Sequence, residues 1–252
     1  MTKDFYDNHK NFSFRTLIEY YISPGIKCKF DLLNSNFNTD KIYNYGIDLG
    51  SSGNSFLFFL DNINKKFSLD IADLPLKQYI NRKNWFPLCG DLMKLPYRDE
   101  TFDFLSVLDV IEHLKEDKDA ISEMSRILKK NGILIITVPH RMKYYSKQDS
   151  IIGHYRRYEI NQLILNFSKF NFRNLKTFGV YGSLMKIADI QSANPKKIEE
   201  NLINLRYKYK SNLLFRNVWN LIVRIFSKLM KIDAKYVSKN RIRNIGLIFI
   251  KK

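Results

Sequence analysis

The stretch YGIDLGSSG, residues 45–53, decides the fold of this chain. Residues 45–49 have the composition of a short buried strand, and a glycine-containing turn follows at once. A glycine in such a turn lets the backbone approach a ligand closely, because it carries no Cβ. The helix start after the turn offers unpaired N–H groups to a carboxylate or a phosphate. A Gly-Ser-Ser-Gly segment is equally compatible with an ordinary turn, so its meaning depends on what surrounds it.

Strand-like and helical segments alternate on the C-terminal side of this turn. We predict further strands at residues 67–70, 86–91, 102–108, 133–138, 175–180 and 245–250. Helices are predicted at 56–60, 76–80, 110–128 and 160–170, the third of them stopped by Lys129-Lys130-Asn131-Gly132. Such alternation predicts a doubly wound α/β fold with a parallel sheet. Residues 11–35 are predicted to be helical, with Pro24-Gly25 as an interrupting turn.

The composition of the 252 residues fits one large α/β domain with an appendage. Apolar residues make up 45%, which is enough for a packed core. The formal net charge of +17 favours anionic partners, although a compositional bias towards lysine also explains part of it. The two cysteines have no metal-ligand spacing, and we recognise neither a leader nor a membrane-spanning run. A cytoplasmic protein is therefore expected.

Acidic residues follow the predicted strands, and ligands of doubly wound sheets bind at the carboxyl ends of the strands. Asp70 comes 22 residues after Asp48, where an acid can accept both hydroxyls of a ribose; a helix cap is the alternative. Asp91 can accept from an exocyclic amine, and the N–H of Leu92 can donate to a ring nitrogen. Asp109 stands at the mouth of the same site. The pattern indicates a nucleoside-binding edge.

An ordered set of residues links these positions. It comprises Gly90-Asp91, Leu95-Pro96, Phe102-Asp103, Glu112-His113, Glu123, Arg126-Ile127-Leu128-Lys129, Gly132 and Val138-Pro139. The set resembles the class I methyltransferase family, particularly its small-molecule branch with the quinone-biosynthesis enzymes, over roughly residues 44–182. This resemblance implies a Rossmann-like, mostly parallel seven-stranded sheet, and S-adenosyl-L-methionine as cofactor.

The resemblance also implies a set of cofactor-binding residues. These are Asp48, Gly50, Ser51, Ser52 and Gly53 facing the methionine part, Asp70 on the ribose, Asp91 and Leu92 on adenine, and Leu108 and Asp109 at the methyl-transfer end. The family's turn usually reads Asp-x-Gly-x-Gly-x-Gly, and only Gly50 is clearly in register. Ser52 and Asn54 stand at the next two glycine positions, whereas a register with one deletion keeps Gly53.

A second motif, GHYRRY at residues 153–158, resembles a segment of methyltransferases that are suspected of acting on sugars or lipid-linked substrates. Tyr155, Arg156 and Arg157, together with His140, are predicted to bind an anionic or polyhydroxylated substrate. The alternative is a structural latch, in which the arginines pair with carboxylates of the domain itself.

An oxygen or nitrogen acceptor can need a general base, and histidine has an unperturbed pKa near 6.5. His113 and His154 are the predicted catalytic residues, with His113 preferred because it follows the fourth strand; His140 is a third candidate. Packing of His113 against the core is the alternative. The pair Glu112-His113 would also suit a divalent-metal site. No third ligand stands at a telling spacing, so no metal site is expected.

The C-terminal quarter differs from the rest, with 15 Lys or Arg against three Asp or Glu after residue 194. We predict an N-terminal helical region (1–40), a methyltransferase core (41–190 with 241–252) and a basic helical insertion (191–240). Residues 211–232 form an amphipathic helix with a wide apolar face. This face is expected to pack inward as a lid over the substrate, and the alternative is peripheral association with an anionic membrane.

The predicted function is methyl transfer from S-adenosyl-L-methionine to a small-molecule, sugar or lipid-linked acceptor, by O-methylation. A nucleic-acid methyltransferase is one alternative, motivated by the basic charge. However, the Asp/Asn-Pro-Pro-aromatic segment typical of enzymes that methylate base amines is absent after the fourth strand. A degenerate, non-catalytic nucleotide-binding protein is the other alternative, motivated by Ser52 and Asn54.

Overall fold

The computed structural model describes residues 15–37, 40–185 and 195–252. Within these ranges the chain folds around one seven-stranded sheet. Its strands are β1 (Tyr43–Leu49), β2 (Ile63–Asp70), β3 (Trp85–Cys89), β4 (Phe102–Leu108), β5 (Leu128–Pro139), β6 (Phe172–Tyr181) and β7 (Asn244–Lys251). All seven predicted strands are present, so the runs of buried residue types located them correctly.

The sheet has the order β3-β2-β1-β4-β5-β7-β6. Its first five strands pair in parallel, whereas β7 runs antiparallel to both β5 and β6. This confirms the predicted Rossmann-like, doubly wound and mostly parallel sheet. The strand order reverses between β1 and β4, and this switch point is where such sheets bind their ligands.

Helices cover both faces of the sheet. They are α1 (Ile18–Ile22), α2 (Pro24–Phe37), α3 (Asp117–Ile127), α4 (Lys147–Ile151), α5 (Ile160–Ser168), α6 (Pro195–Ser211) and α7 (Leu213–Tyr236). The prediction of a turn at Pro24-Gly25 is wrong, because Pro24 is the first residue of α2. Proline is favoured at this position, since the first turn of a helix has no partner for its N–H groups.

The predicted helix over residues 110–128 is shorter than expected. Residues 111–113 form a separate 3-10 turn, and α3 begins only at Asp117. The predicted stop at 129–132 lies inside β5, where Leu128 already pairs with Phe102 ahead of an irregularity in the ladder. The predicted helices near residues 56–60 and 76–80 are likewise 3-10 turns. Short tight turns of this kind suit connections that must stay at the sheet edge.

Two hydrophobic clusters, one on each side of the sheet, hold the fold together. In one of them, Phe30 and Leu33 of α2 pack with Phe56 and Phe104. In the other, α3 and α5 pack against the central strands. Because α2 is anchored in this way, its Lys29 reaches Asp109 at the carboxyl end of β4 from a fixed position.

The predicted amphipathic helix of the C-terminal quarter is α7, and its orientation differs from the expected one. Val223, Ser227 and Ala234 form its buried side, which packs on α2 and β6. Most of the apolar side chains of its predicted inward face, among them Leu214, Val218 and Ile225, are exposed instead of packing inward as a lid. No helix among the described residues has the length and apolar character needed to cross a membrane.

Candidate active site

The turn after β1 is held in its shape by Gly50. Its φ is +74°, a conformation that L-residues with a side chain rarely adopt, and a Cβ there would lie 2.5 Å from Val110 Cγ2. Its N–H donates to Leu69 O at 2.7 Å, which ties the turn to the end of β2. Gly50 thus brings the backbone to the switch point of the sheet.

One of the two positions at which the turn departs from the family pattern, Ser52, also has an unusual conformation, and so does the neighbouring Gly53. Ser52 has a φ of +43° and Gly53 a φ of +75°. A Cβ at Gly53 would lie 2.2 Å from Arg15 O, so this position needs glycine as much as Gly50 does. A serine in the left-handed region is strained, and such strain is often found at ligand-binding turns.

Asp70 closes the turn from the end of β2. Its Oδ2 accepts from Ser52 N at 2.8 Å and its Oδ1 from Ala72 N at 3.0 Å. Burial raises the pKa of this carboxyl, while the backbone N–H groups lower it. A carboxylate held in this way can accept further hydrogen bonds on its remaining lone pairs, as ribose hydroxyls would require.

Polar groups at the end of β1 surround a small cavity lined by Lys29, Gly50, Asn54 and Leu108. Asn54 Oδ1 is buried there without a hydrogen-bond partner. Buried Asp48 accepts from Ser106 Oγ at 2.6 Å, and burial raises its pKa to about 6. An unsatisfied acceptor beside a glycine turn suits the charged amino group of an amino-acid moiety.

Asp91 and Leu92 follow β3 in the predicted way. Asp91 is exposed and accepts from Met93 N at 2.9 Å, whereas Leu92 is buried. An exposed carboxylate next to a buried apolar residue can bind the edge and the face of a purine. The broader surface groove of the chain lies at the opposite, amino end of β2 and β3, against Trp85.

Asp109 is fixed by three partners that the sequence did not identify. Lys29 Nζ of α2 lies 2.9 Å from its Oδ2, while Thr137 Oγ1 and Asn244 Nδ2 donate to its Oδ1 at 3.0 and 2.7 Å. Burial alone would raise the pKa of Asp109, but Lys29 and the two hydrogen bonds lower it to about 2. Its φ of +56° is a second strained position at this edge.

The predicted catalytic residues His113 and His154 lie together, although 41 positions separate them. Their ring centroids are 4.5 Å apart, and Glu112 Oε1 lies 3.9 Å from His154 Nε2. His113 Nδ1 faces Gly153 O at 3.3 Å, and His154 Nδ1 faces Asp149 Oδ1 at 2.8 Å. We call Glu112, His113 and His154 the edge cluster.

Burial dominates the electrostatics of the edge cluster. It lowers the pKa of His113 to about 3, and a second decrease comes from His154. It also raises the pKa of Glu112 well above its ordinary value, helped by the negative charge of Asp109. His113 therefore accepts a proton only in strong acid, which makes it a weak general base at neutral pH.

The predicted substrate-binding residues of the GHYRRY segment are mostly engaged with the domain itself. Arg157 donates to both oxygens of Asp149, at 3.0 and 2.8 Å. Arg156 Nη1 lies 3.2 Å from Asp117 Oδ2, and His140 Nδ1 faces Ile242 O at 3.1 Å. These are the pairings that the latch interpretation describes. Tyr155 is exposed, and a substrate-binding role for these four residues stays a prediction.

Lys29, Thr137 and Asn244 come from α2, β5 and β7, far apart in the sequence. No local pattern marks them, since each looks like an ordinary residue of its element. The approach of His154 to His113 depends in the same way on tertiary structure, because Tyr155 N donates to Glu112 O at 2.8 Å.

Comparison with known proteins found a family match and several partial relatives. Residues 47–136 match the methyltransferase domain family. An uncharacterized protein of Methanocaldococcus jannaschii is 30% identical over 145 residues, 55% of this chain and 61% of that protein. A probable S-adenosylmethionine-dependent methyltransferase of Mycolicibacterium smegmatis is 29% identical over 72 residues, 29% of this chain and 28% of that protein. The chain thus spans less than two thirds of either relative.

A solved structure shares the whole fold. Phosphoethanolamine N-methyltransferase 2 of Haemonchus contortus, in complex with S-adenosyl-L-methionine, superimposes with a TM-score of 0.61. The two sequences are 16% identical, and the alignment covers 99% of this chain and 59% of that chain.

Proposed function

We propose that this chain, whose residues 47–136 form a methyltransferase domain on a class I fold, is an S-adenosyl-L-methionine-dependent methyltransferase. The observation that carries the proposal is the strained turn after β1, tied through Asp70 to the end of β2. Both features lie at the switch point of the sheet, where nucleoside ligands of this fold class bind.

The polar groups at this edge match the parts of the cofactor. Asn54 Oδ1 and the N–H groups of the turn suit the amino acid, Asp70 the ribose, and Asp91 with Leu92 the adenine. Bound S-adenosyl-L-methionine supplies a methyl group on a sulfonium, which is already electrophilic. The protein's contribution is therefore mainly alignment and exclusion of water.

The acceptor is proposed to be a small-molecule, sugar or lipid-linked hydroxyl. The edge cluster supports this, since it lies one turn beyond Asp109 and contains groups that can bind a hydroxyl. A neutral amine depends less on a general base than a hydroxyl does, because its lone pair is already free to attack when the pH is near or above its pKa. Lys29 lines the cavity at the cofactor turn and is paired with Asp109 at 2.9 Å.

Titration calorimetry with S-adenosyl-L-methionine and S-adenosylhomocysteine tests the proposal, with NADH and ATP as controls. We expect binding of the first two ligands alone. Asp70→Asn removes a charged acceptor, so it should weaken binding roughly 10- to 100-fold, as for one charge-assisted hydrogen bond. Asp61→Asn, at an exposed acid ahead of β2, is the matched control and should bind like the wild type. Absence of binding to both ligands would leave a degenerate nucleotide fold.

A further inference from the structure

We propose that the edge cluster is a binding site for one divalent transition-metal ion. Glu112, His113 and His154 each offer one ligand atom, and these atoms lie within 4.8 Å of one another. Metal binding itself does not depend on the proposed function. A role for the ion in binding and activating an acceptor hydroxyl does depend on it.

The distances require only side-chain adjustment. Nitrogen and oxygen ligands at 2.0–2.2 Å from a tetrahedral zinc ion lie roughly 3.3 Å from each other. Glu112 Oε1 and His154 Nε2 are already 3.9 Å apart. Side-chain movements of roughly 1 to 1.5 Å would bring the ligand atoms to that separation, and a tetrahedral ion would keep a fourth position for a solvent or substrate oxygen.

The strongest sign of a missing partner is the Glu112 carboxyl. Its side chain is fully buried, and neither of its oxygens accepts a hydrogen bond from another residue in the described part of the chain. Buried polar groups in native structures are almost always satisfied, because an unsatisfied one is costly. A cation between the carboxyl and the two imidazoles would satisfy the Glu112 oxygen that faces them and would compensate the charge of the carboxylate.

The histidines are oriented as metal ligands are. Each uses Nδ1 for a contact with the protein, His154 with the Asp149 carboxylate and His113 with the Gly153 carbonyl. Nε2 of each ring is thereby kept for another ligand. Metal-binding histidines almost always have such a carboxylate or carbonyl on the second nitrogen. Arg157, bound to both oxygens of Asp149, holds the outer carboxylate in place.

The donor set selects the class of ion. Two imidazole nitrogens and one carboxylate suit zinc, iron(II), manganese or cobalt, whereas magnesium and calcium prefer oxygen ligands. Lys29, the nearby cation, is neutralised by its ion pair with Asp109. The positive charge of Lys29 is therefore compensated and does not oppose the binding of a cation at the edge cluster.

Titration of the metal-free protein with Co²⁺, followed by visible absorption, tests the proposal, and calorimetry with Zn²⁺ gives the affinity. We expect one equivalent and a cobalt spectrum that Zn²⁺ abolishes. Glu112→Gln keeps the side-chain shape and should lower the affinity at least 100-fold. His140→Asn, at a buried histidine outside the edge cluster, should not change metal binding.

Two results would overturn the metal site: no stoichiometric binding by the wild type, or equal affinity in Glu112→Gln and the wild type. Circular dichroism of the variant shows that it is folded. S-adenosylhomocysteine binding, measured on the chelated protein, reports on the proposed function separately. A wild-type protein that binds S-adenosylhomocysteine but no metal ion would thus refute the metal proposal and leave the proposed function standing.

A different observation, on α7, carries a second proposal: we infer that its outer side docks on an anionic lipid bilayer. The side chains concerned, here called the outer stripe, are Leu214, Val218, Leu221, Ile225, Leu229, Ile232 and Tyr236. Each of them is between 47% and 75% exposed. Their spacing of three or four residues places them on one face of the helix. The opposite face is already used, since Val223 and Ala234 are 1% and 2% exposed.

Charge identifies the occupant of the outer stripe. Arg224, Lys228 and Lys235 are exposed and run alongside it at the same helical spacing. An apolar stripe flanked by cations is typical of helices that lie in the interface of anionic membranes. A second copy of this chain would bring the same cations together, which disfavours a symmetric dimer through this face.

The position of α7 gives such docking a consequence for the site. The helix packs on α2, and Lys29 of α2 contacts Asp109 at the carboxyl edge of the sheet. A bilayer bound to the outer stripe would therefore lie within two helix layers of Lys29 and the carboxyl edge. A lipid-linked acceptor is the substrate class that benefits, and this last step rests on the proposed function.

Flotation with vesicles tests the docking, with phosphatidylcholine alone or mixed with phosphatidylglycerol. We expect the wild type to float only with the mixed vesicles. The double variant Leu221→Ser and Ile225→Ser should reduce the bound fraction at least 10-fold. Leu165→Ser, at a comparably exposed leucine of α5, should not. The proposal would be overturned if the double variant bound the vesicles as well as the wild type does. It would also be overturned if the wild type sedimented as a dimer and did not bind vesicles.

Discussion

The substitution Lys29→Met tests whether the buried pair with Asp109 organises the carboxyl edge of the sheet. Only 11% of the Lys29 side chain and 28% of the Asp109 side chain are exposed, so solvent screens the pair weakly. Methionine keeps most of the apolar stem of lysine and removes the charge.

The magnitude follows from the pKa of Asp109. Its decrease from 3.8 to about 2 corresponds to about 2 kcal/mol of stabilisation of the charged form in the folded state. Removing one partner of a buried pair costs about 3–5 kcal/mol when the other charge is left without compensation. Thr137 and Asn244 still donate to Asp109, so we expect a loss of about 2–3 kcal/mol in the free energy of unfolding at pH 7.

Urea denaturation of four proteins measures this loss: the wild type, Lys29→Met, Asp109→Asn and the double variant. The coupling energy of the cycle isolates the pair. Because the folded pKa of Asp109 is lowered, its contribution is present above pH 4 and is lost as the pH falls towards 2. Lys29→Met should flatten that part of the pH dependence. A coupling energy under about 0.5 kcal/mol would refute the reasoning, since that is the range of independent sites.

Three further outcomes are expected. Gly50→Ala should lose at least about 1–2 kcal/mol of stability, because its φ is +74° and the new Cβ meets Val110; thermal unfolding measures this, with Gly25→Ala, whose Cβ has room, as the control. In chelator, Glu112→Gln should gain stability relative to the wild type as the pH rises from 5 to 8. The reason is that burial raises the pKa of Glu112, so the wild type loses stability through that pKa and the amide does not; parallel pH profiles would contradict this. Arg157→Ala should cost about 3 kcal/mol, because it leaves the buried Asp149 carboxylate without its bidentate partner; a change within about 0.5 kcal/mol in urea denaturation would show that the pair is not structural.

The strands could be predicted from the sequence because they are buried runs bounded by turn residues, as in β1 and β4. The turn after β1 and its closeness to Asp70 could be predicted for a similar reason, since the turn residues are contiguous and their spacing to Asp70 is set by the strand-turn-strand unit. The helix predicted from Val110 could not, because apolar periodicity does not distinguish a 3-10 turn plus a loop from the first turns of an α-helix.

The side chains that contact Asp109 and His113 could not be predicted from local sequence patterns. His154 meets His113 only because the 153–158 segment folds back on Glu112, and Lys29 meets Asp109 only because α2 packs across the switch point. The orientation of α7 is a related case. Its amphipathic pattern fixes that two unlike faces exist, but which face contacts the protein depends on the surfaces of α2 and β6.

The place of β7 in the sheet has a consequence for biosynthesis. β6 is made earlier in translation, yet its sheet partner is β7, which inserts between it and β5. Until residues 244–251 leave the ribosome, β5 presents an unpaired edge, and β6 with the helices that follow it has no sheet to join. Nascent chains of this protein therefore expose a strand edge through the synthesis of about a hundred residues. The strand order itself thus prolongs the exposure of an edge that is prone to aggregation during synthesis.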